Sequence, residues 1–143
     1  MPSAAEIAKP MPEHVFPFRV YYEDTDAAGI VYYANYLKFA ERARTEMLRA
    51  RGFDHRQLDA KDGVAFAVRA CSADYLLPAR LDDALEVRTR VTHVGGATLE
   101  ADQDITREDA VLTRLKVRLA CINRAGRPAR IPAAILAAFR SNP

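Results

Sequence analysis

The sequence has little cysteine: Cys71 and Cys121 lie far apart and form no C-x-x-C pair. A disulfide framework and a zinc knuckle are both without support, and two reduced, buried thiols are expected. No run of about 18 apolar residues occurs, so no segment reads as a membrane-spanning helix. The formal net charge is only +2, too small for the basic stripe of a nucleic-acid-binding protein. His14, His55 and His93 stand too far apart for metal-ligand spacing, so no metal site is expected. Internal repeats, low-complexity tracts and linkers are missing as well.

What remains is globular. Half of the 143 residues are hydrophobic and 28% are charged, which fits one soluble domain. Residues 1–12 lack the continuous apolar stretch of a secretory signal and read as a flexible N-terminal arm, so no export is expected. The domain then occupies residues 13–143 and works in the cytoplasm.

Hydrophobic periodicity orders that domain. Phe16, Phe18, Val20 and Tyr22 alternate as in a half-buried strand, and Pro17 suggests an edge or a strand start. A polar turn over residues 23–29 leads into a helix whose stripe is Tyr33, Tyr36, Leu37, Ala40, Ala43, Met47 and Leu48, ended by Gly52. Phe39 falls off the stripe, so the helix is expected to bury a second face, as one wedged between a sheet and another subunit would. After a loop over residues 53–63 come four extended segments with connections too short for crossover helices, which predicts antiparallel hairpins. Gly95-Gly96 is the strongest of these turn signals. A short C-terminal helix follows Pro132, with Ile135, Leu136 and Phe139 on its apolar side. The expected fold class is α+β, one antiparallel sheet of about five strands with a long helix across its apolar face. An exposed first or last strand would need a partner edge, which predicts at least a homodimer.

The chemistry concentrates in YYEDTDAAGIVYYANY, residues 21–36. Glu23, Asp24 and Asp26 repel one another, which raises carboxylate pKa values, whereas the positive end of the following helix lowers them. Gly29 permits positive φ or close backbone approach, and unpaired amides at the helix start can hold an oxyanion. A carboxylate facing such amides has what acyl transfer requires. The plainer reading, in which Asp24, Thr25 and Asp26 only form a turn and cap, stays open on local chemistry alone.

This stretch, continued by Leu37-Lys38-Phe39 and Glu41-Arg42-Ala43-Arg44, resembles the signature of the 4-hydroxybenzoyl-CoA thioesterase family. The segment DYLLPARLDD at 74–83 and residues 121–128 look like the bacterial acyl-CoA thioesterases associated with the Tol-Pal envelope system. The resemblance covers about residues 15–131. It implies a hotdog fold that dimerises edge to edge, often into a homotetramer, with active sites between subunits. It also implies hydrolysis of an acyl-CoA to free acid and coenzyme A, with no cofactor beyond the coenzyme A of the substrate. The second Asp of D-x-D-x-x-G, catalytic in the family, maps onto Asp26 as nucleophile or general base. The backbone N–H of Tyr33 would polarise the thioester carbonyl, and Gly29, Ile30, Val31 and Tyr32 would line the approach. Many members of the Tol-Pal-associated group carry His where this chain has Tyr33.

Two further groups deserve weighing. Arg88, Arg90, Arg114, Lys116 and Arg118 could form a basic patch for coenzyme A phosphates or an acyl carrier protein, or simply a solvated outer face. Glu41 could assist hydrolysis, but pairing with Arg44 or Arg42 is the plainer expectation. Hotdog hydratases often use a His five residues after the Asp, where this chain has Val31. A non-catalytic acyl-CoA or acyl-carrier-protein binding protein of the envelope system is the alternative function.

Overall fold

The computed structural model of the protein describes residues 12–140, so the expected arm over residues 1–12 lies outside the described residues except for Pro12. Strand β1 (His14–Arg19) is followed by a 3-10 turn (Tyr22–Asp24) and the long helix α1 (Asn35–Ala50). Strands β2 (Val64–Tyr75), β3 (Ala84–Val94), β4 (Thr98–Arg107) and β5 (Ala110–Asn123) come next, then helix α2 (Ala133–Arg140). All strand pairs are antiparallel, in one sheet ordered β1-β3-β4-β5-β2. This is the α+β hotdog arrangement, a sheet curled on one long helix.

Alternation gives the sheet two unlike faces. Leu85, Val87, Thr89 and Val91 of β3 are buried, as are Leu99, Ala101, Gln103 and Ile105 of β4 and Leu115, Val117, Leu119 and Cys121 of β5. Against this inner face α1 buries Tyr36, Phe39, Ala40, Ala43, Met47 and Leu48. Phe39 does define a second buried face, but its partner lies within the chain: its ring centroid is 4.5 Å from that of Phe18 on β1. Burying such a side chain contributes about 1.5–3 kcal/mol. Helix α1 packs chiefly on β1, β3 and β4, and the inner face of β2 is poorly covered, with Val68 53% and Tyr75 46% exposed.

Two expectations need correction. Strands β3, β4 and β5 are successive hairpins, but β2 skips across to pair with β5, so the second edge is β2 and not the last strand. The cause is the connection over residues 76–83, which is held at the far end of the sheet. Ala79 accepts the Val31 N–H at 2.9 Å and Asp83 accepts the Val20 N–H at 3.0 Å through their carbonyls. The loop at 53–63 is also partly helical: Asp54 caps a short turn by accepting the Gln57 N–H at 2.8 Å.

The outer face carries the expected basic residues, but they do not form a patch. On β4, Glu100, Asp102 and Asp104 stand in register between Arg88, Arg90 and His93 on β3 and Arg114, Lys116 and Arg118 on β5. Arg118 pairs with Glu100 at 2.7 Å, Arg114 with Asp104 at 3.3 Å, and Arg88 with Glu13 and Glu86 at 2.8 Å. The acids of β4, with Glu13 and Glu86 beside Arg88, offset the bases on either side, which is what cross-strand pairing favours.

Candidate active site

The segment from Thr25 to Val31 closes on itself as a tight hairpin, with Thr25 and Val31 bridged. The Asp26 N–H donates to the Ile30 carbonyl at 2.9 Å and the Gly29 N–H to the Asp26 carbonyl at 3.0 Å. Gly29 sits at φ +79°, where a side chain costs roughly 1–2 kcal/mol. Asp26 Oδ1 accepts the Ala28 N–H at 2.9 Å, an Asx turn that fixes the carboxylate. The side chain is exposed, and its second oxygen has no partner among the described residues.

The neighbouring acids differ. Asp24 Oδ2 accepts the Tyr21 N–H at 2.8 Å, and its carbonyl takes both the Tyr32 N–H at 3.0 Å and Asn35 Nδ2 at 2.9 Å. Thr25 Oγ1 donates to the Tyr22 carbonyl at 2.7 Å. Asp24 and Thr25 hold the turn and are partly buried, whereas Asp26 is exposed. Asp26 serves the turn with one oxygen and leaves the other open.

Helix α1 starts without a side-chain cap and without an acid in its first turn. Tight turns lead in, with the Asn35 N–H donating to the Tyr32 carbonyl at 2.8 Å and the Tyr36 N–H to the Tyr33 carbonyl at 3.4 Å. The N–H groups of Tyr33 and Ala34 have no acceptor among the described residues. An uncapped helix start presents unspent donors and a partial positive charge, both suited to an oxyanion.

Ala79 ties hairpin to helix. Its carbonyl takes the Val31 N–H, and its own N–H donates to Tyr36 Oη at 3.0 Å. Ile30 bridges Arg80, whose N–H donates to Asp83 Oδ2 at 2.8 Å, and Arg107 Nη1 reaches the same oxygen at 2.8 Å. Burial pushes the Asp83 carboxyl up, but the Arg80 N–H and the Arg107 guanidinium outweigh it and hold the group below the usual carboxylate range.

An aromatic wall completes the site. Tyr33 is 61% exposed and stands 5.0 Å from Tyr32 and 6.0 Å from Tyr75 between ring centroids, with Tyr36 and Tyr75 at 5.6 Å. Burial raises the Tyr36 and Tyr75 phenols above their ordinary values, so both stay neutral near pH 7. The helical stripe expected from sequence begins at Tyr33, but Tyr33 precedes α1 and is not part of it. Of the residues named for the approach, Gly29, Ile30 and Tyr32 gather around Asp26 in sequence and hairpin, whereas Val31 is 2% exposed and turns its side chain into the core. Tyr75 and Ala79 fall in the 74–83 segment that carries the resemblance but have no site role from sequence, because only the pairing of β2 with β5 and the course of the 76–83 connection bring them here.

Glu41 forms no ion pair with Arg42 or Arg44 among the described residues; Arg44 instead donates to Gln103 Oε1 at 2.9 Å. The buried Gln103 amide draws it toward the sheet.

Comparison with known proteins bears on the family and the fold. The sequence profile of the thioesterase-like superfamily matches residues 20–139. The acyl-CoA thioesterase YbgC of Haemophilus influenzae is 45% identical over 125 residues, 87% of this chain and 92% of that protein. A probable thioesterase from Bartonella henselae superposes with a TM-score of 0.82 at 39% identity, covering 85% of this chain and all of its own. A 4-hydroxybenzoyl-CoA thioesterase complexed with 4-hydroxybenzoyl-CoA shares the fold, with a TM-score of 0.83 at 20% identity over 89% of this chain and 98% of its own. With fold, motif placement and sequence in agreement, the chain belongs to the thioesterase-like superfamily of hotdog proteins.

Proposed function

We propose that the protein hydrolyses acyl-CoA thioesters to a free carboxylic acid and coenzyme A, with Asp26 as the catalytic carboxylate. The observation that carries this reading is the open oxygen of Asp26, fixed on a hairpin that Ala79 ties to an uncapped helix start. The Tyr33 N–H holds the thioester oxygen as charge develops on it. The open Asp26 oxygen attacks the thioester carbon, or takes a proton from the water that does. The C–S bond breaks and the thiolate is protonated. On the nucleophilic route water then cleaves the acyl-aspartyl anhydride and restores the carboxylate. Gly29, Ile30 and Tyr32 flank the approach, Val31 contributes only main chain, and coenzyme A enters as part of the substrate, with no other cofactor required.

The identity to a named acyl-CoA thioesterase supports the reaction class. We place the enzyme in the cytoplasm, where coenzyme A thioesters are made. We also propose a homodimer joined through β2, because that edge is long, unpaired and flanked by exposed Val68, Tyr75, Leu76 and Leu77. With the outer face neutralised, acyl carrier protein docking there has no charge to drive it.

The test is thiol release from a panel of short, long and aromatic acyl-CoAs. Turnover of at least one class is expected. Binding without thiol release across the panel overturns the enzyme reading in favour of a non-catalytic acyl-CoA binding protein.

A further inference from the structure

The acyl arm of a thioester is its apolar part, so it lies on the apolar surface nearest the Tyr33 N–H. That surface starts with Tyr75, the last residue of β2. The Tyr75 ring stands edge-on to Tyr33 at 6.0 Å between centroids and tilted against Tyr36 at 5.6 Å. Tyr36 carries the contact on into the core through Phe39, at 6.0 Å. Tyr32, the other ring beside Tyr33, is its neighbour in sequence, so Tyr75 is what seats Tyr33 against the sheet.

Behind Tyr75 the inner face of β2 is lined by small side chains. The pleat puts Tyr75, Ala73 and Cys71 on one face. Their partners on β5 are Thr113, Leu115 and Val117, all buried. Because α1 packs chiefly on β1, β3 and β4, this row is left open: Ala73 is half-buried, and Cys71 and Val68 are exposed. From Tyr75 to Cys71 the strand advances about 13 Å, room for several methylenes. A bulky ring therefore stands at the mouth of an apolar lane floored by small residues. Pairing of the β2 edge with a second copy would use main chain and leave these side chains pointing into the helix layer.

We infer that Tyr75 is a specificity-determining residue: its ring ends the acyl subsite beside the Tyr33 N–H and holds longer chains out of the lane over Ala73 and Cys71. The inference rests on the acyl-CoA hydrolysis proposed above and names the residue that sets acyl length. Edge-on and tilted aromatic pairs at these separations attract, so the two ring contacts keep the stop in place and displacing it costs a substrate affinity.

The test is kcat/KM by thiol release for straight-chain thioesters from acetyl-CoA to palmitoyl-CoA, in wild type, Tyr75→Ala and Tyr75→Trp. Tyr75→Ala opens the lane and should move the preferred chain at least about two carbons longer, with a gain of up to about 4-fold for each methylene newly buried. Tyr75→Trp enlarges the stop and should move the preference shorter. A side chain needed only for folding would lower every chain length in the same proportion and leave the preference where it was. If Tyr75→Ala fails to fold, Tyr75→Trp alone decides. A chain-length profile that is unchanged in the variants, or scaled equally at all lengths, overturns the inference and leaves hydrolysis standing. A wild-type protein that turns over no straight-chain thioester also overturns the inference, and one that turns over no thioester of the wider panel above overturns the hydrolysis reading with it.

Discussion

The phenol oxygen of Tyr36 accepts the Ala79 N–H at 3.0 Å, a bond between residues 43 apart in sequence and buried at both ends. Because the Ala79 carbonyl also holds Val31, this bond sets the distance from the Asp26 hairpin to helix α1. Tyr36→Phe removes the acceptor and strands a buried N–H, which costs about 1–3 kcal/mol, or roughly 3–9 °C in Tm for a chain of this size. It should also lower kcat/KM by about 10–100-fold, since small misplacements of reacting groups are expensive. Thermal unfolding and thiol release on the same preparation check both; an active variant would show that Ala79 does not position the site.

Gly29 offers a test that separates strain from crowding. A Cβ built on it meets nothing within 4 Å, so Gly29→Ala adds no clash and pays only for φ +79°. Stability should fall by about 1–2 kcal/mol, and Gly29→Asn should cost less because Asn enters the left-handed region more readily. Denaturant unfolding of the two variants gives the ordering; equal losses would point to a cause other than the backbone angle.

His14 should give stability a pH dependence close to neutrality. Burial holds its pKa below 6.5, Glu46 opposing and Arg51 reinforcing the shift, and its Nδ1 is buried without a partner among the described residues. Between the unfolded and the lowered folded pKa the unfolded chain binds more protons, so stability rises with pH in that window. It is therefore lost as pH falls from about 6.5 through the folded value. Melting temperatures measured from pH 7.5 down to 5 should drop less steeply in His14→Phe than in wild type.

The fold was legible wherever local pattern decides it. Alternation placed β1 and the four later strands within a few residues, and Gly52 marked the end of α1 closely. Pairing was not legible: nothing in the period of β2 says whether it meets β3 or β5, because either neighbour would bury the same face. Within the site, the run of carboxylates ahead of a helix start follows from residue type and order, and the choice of Asp26 among them comes from the family resemblance. Tyr75, Ala79 and Arg107 do not, since they arrive through β2, the 76–83 connection and β4 and act through ring packing, main chain and a tertiary ion pair respectively. The basic rows stayed open between a patch and a solvated face for a related reason. Part of their counter-charge sits on β4, and only the register shows that Glu100 and Asp104 stand beside them.

Asp26 and Asp24 lie two residues apart in one turn, and substituting each by Asn should have opposite weight. Asp26→Asn keeps an oxygen to accept the Ala28 N–H, so the hairpin should survive with stability changed by no more than about 0.5 kcal/mol. It removes the charged oxygen left open, however, and should lower kcat by at least about 100-fold. Asp24→Asn also keeps an acceptor for the Tyr21 N–H, and its carbonyl still holds Tyr32 and Asn35, so turnover should stay near wild type. Steady-state thiol release for the two variants side by side decides between them. Equal losses would mean that both carboxylates serve only the turn, and full activity in Asp26→Asn would move the chemistry away from this hairpin altogether.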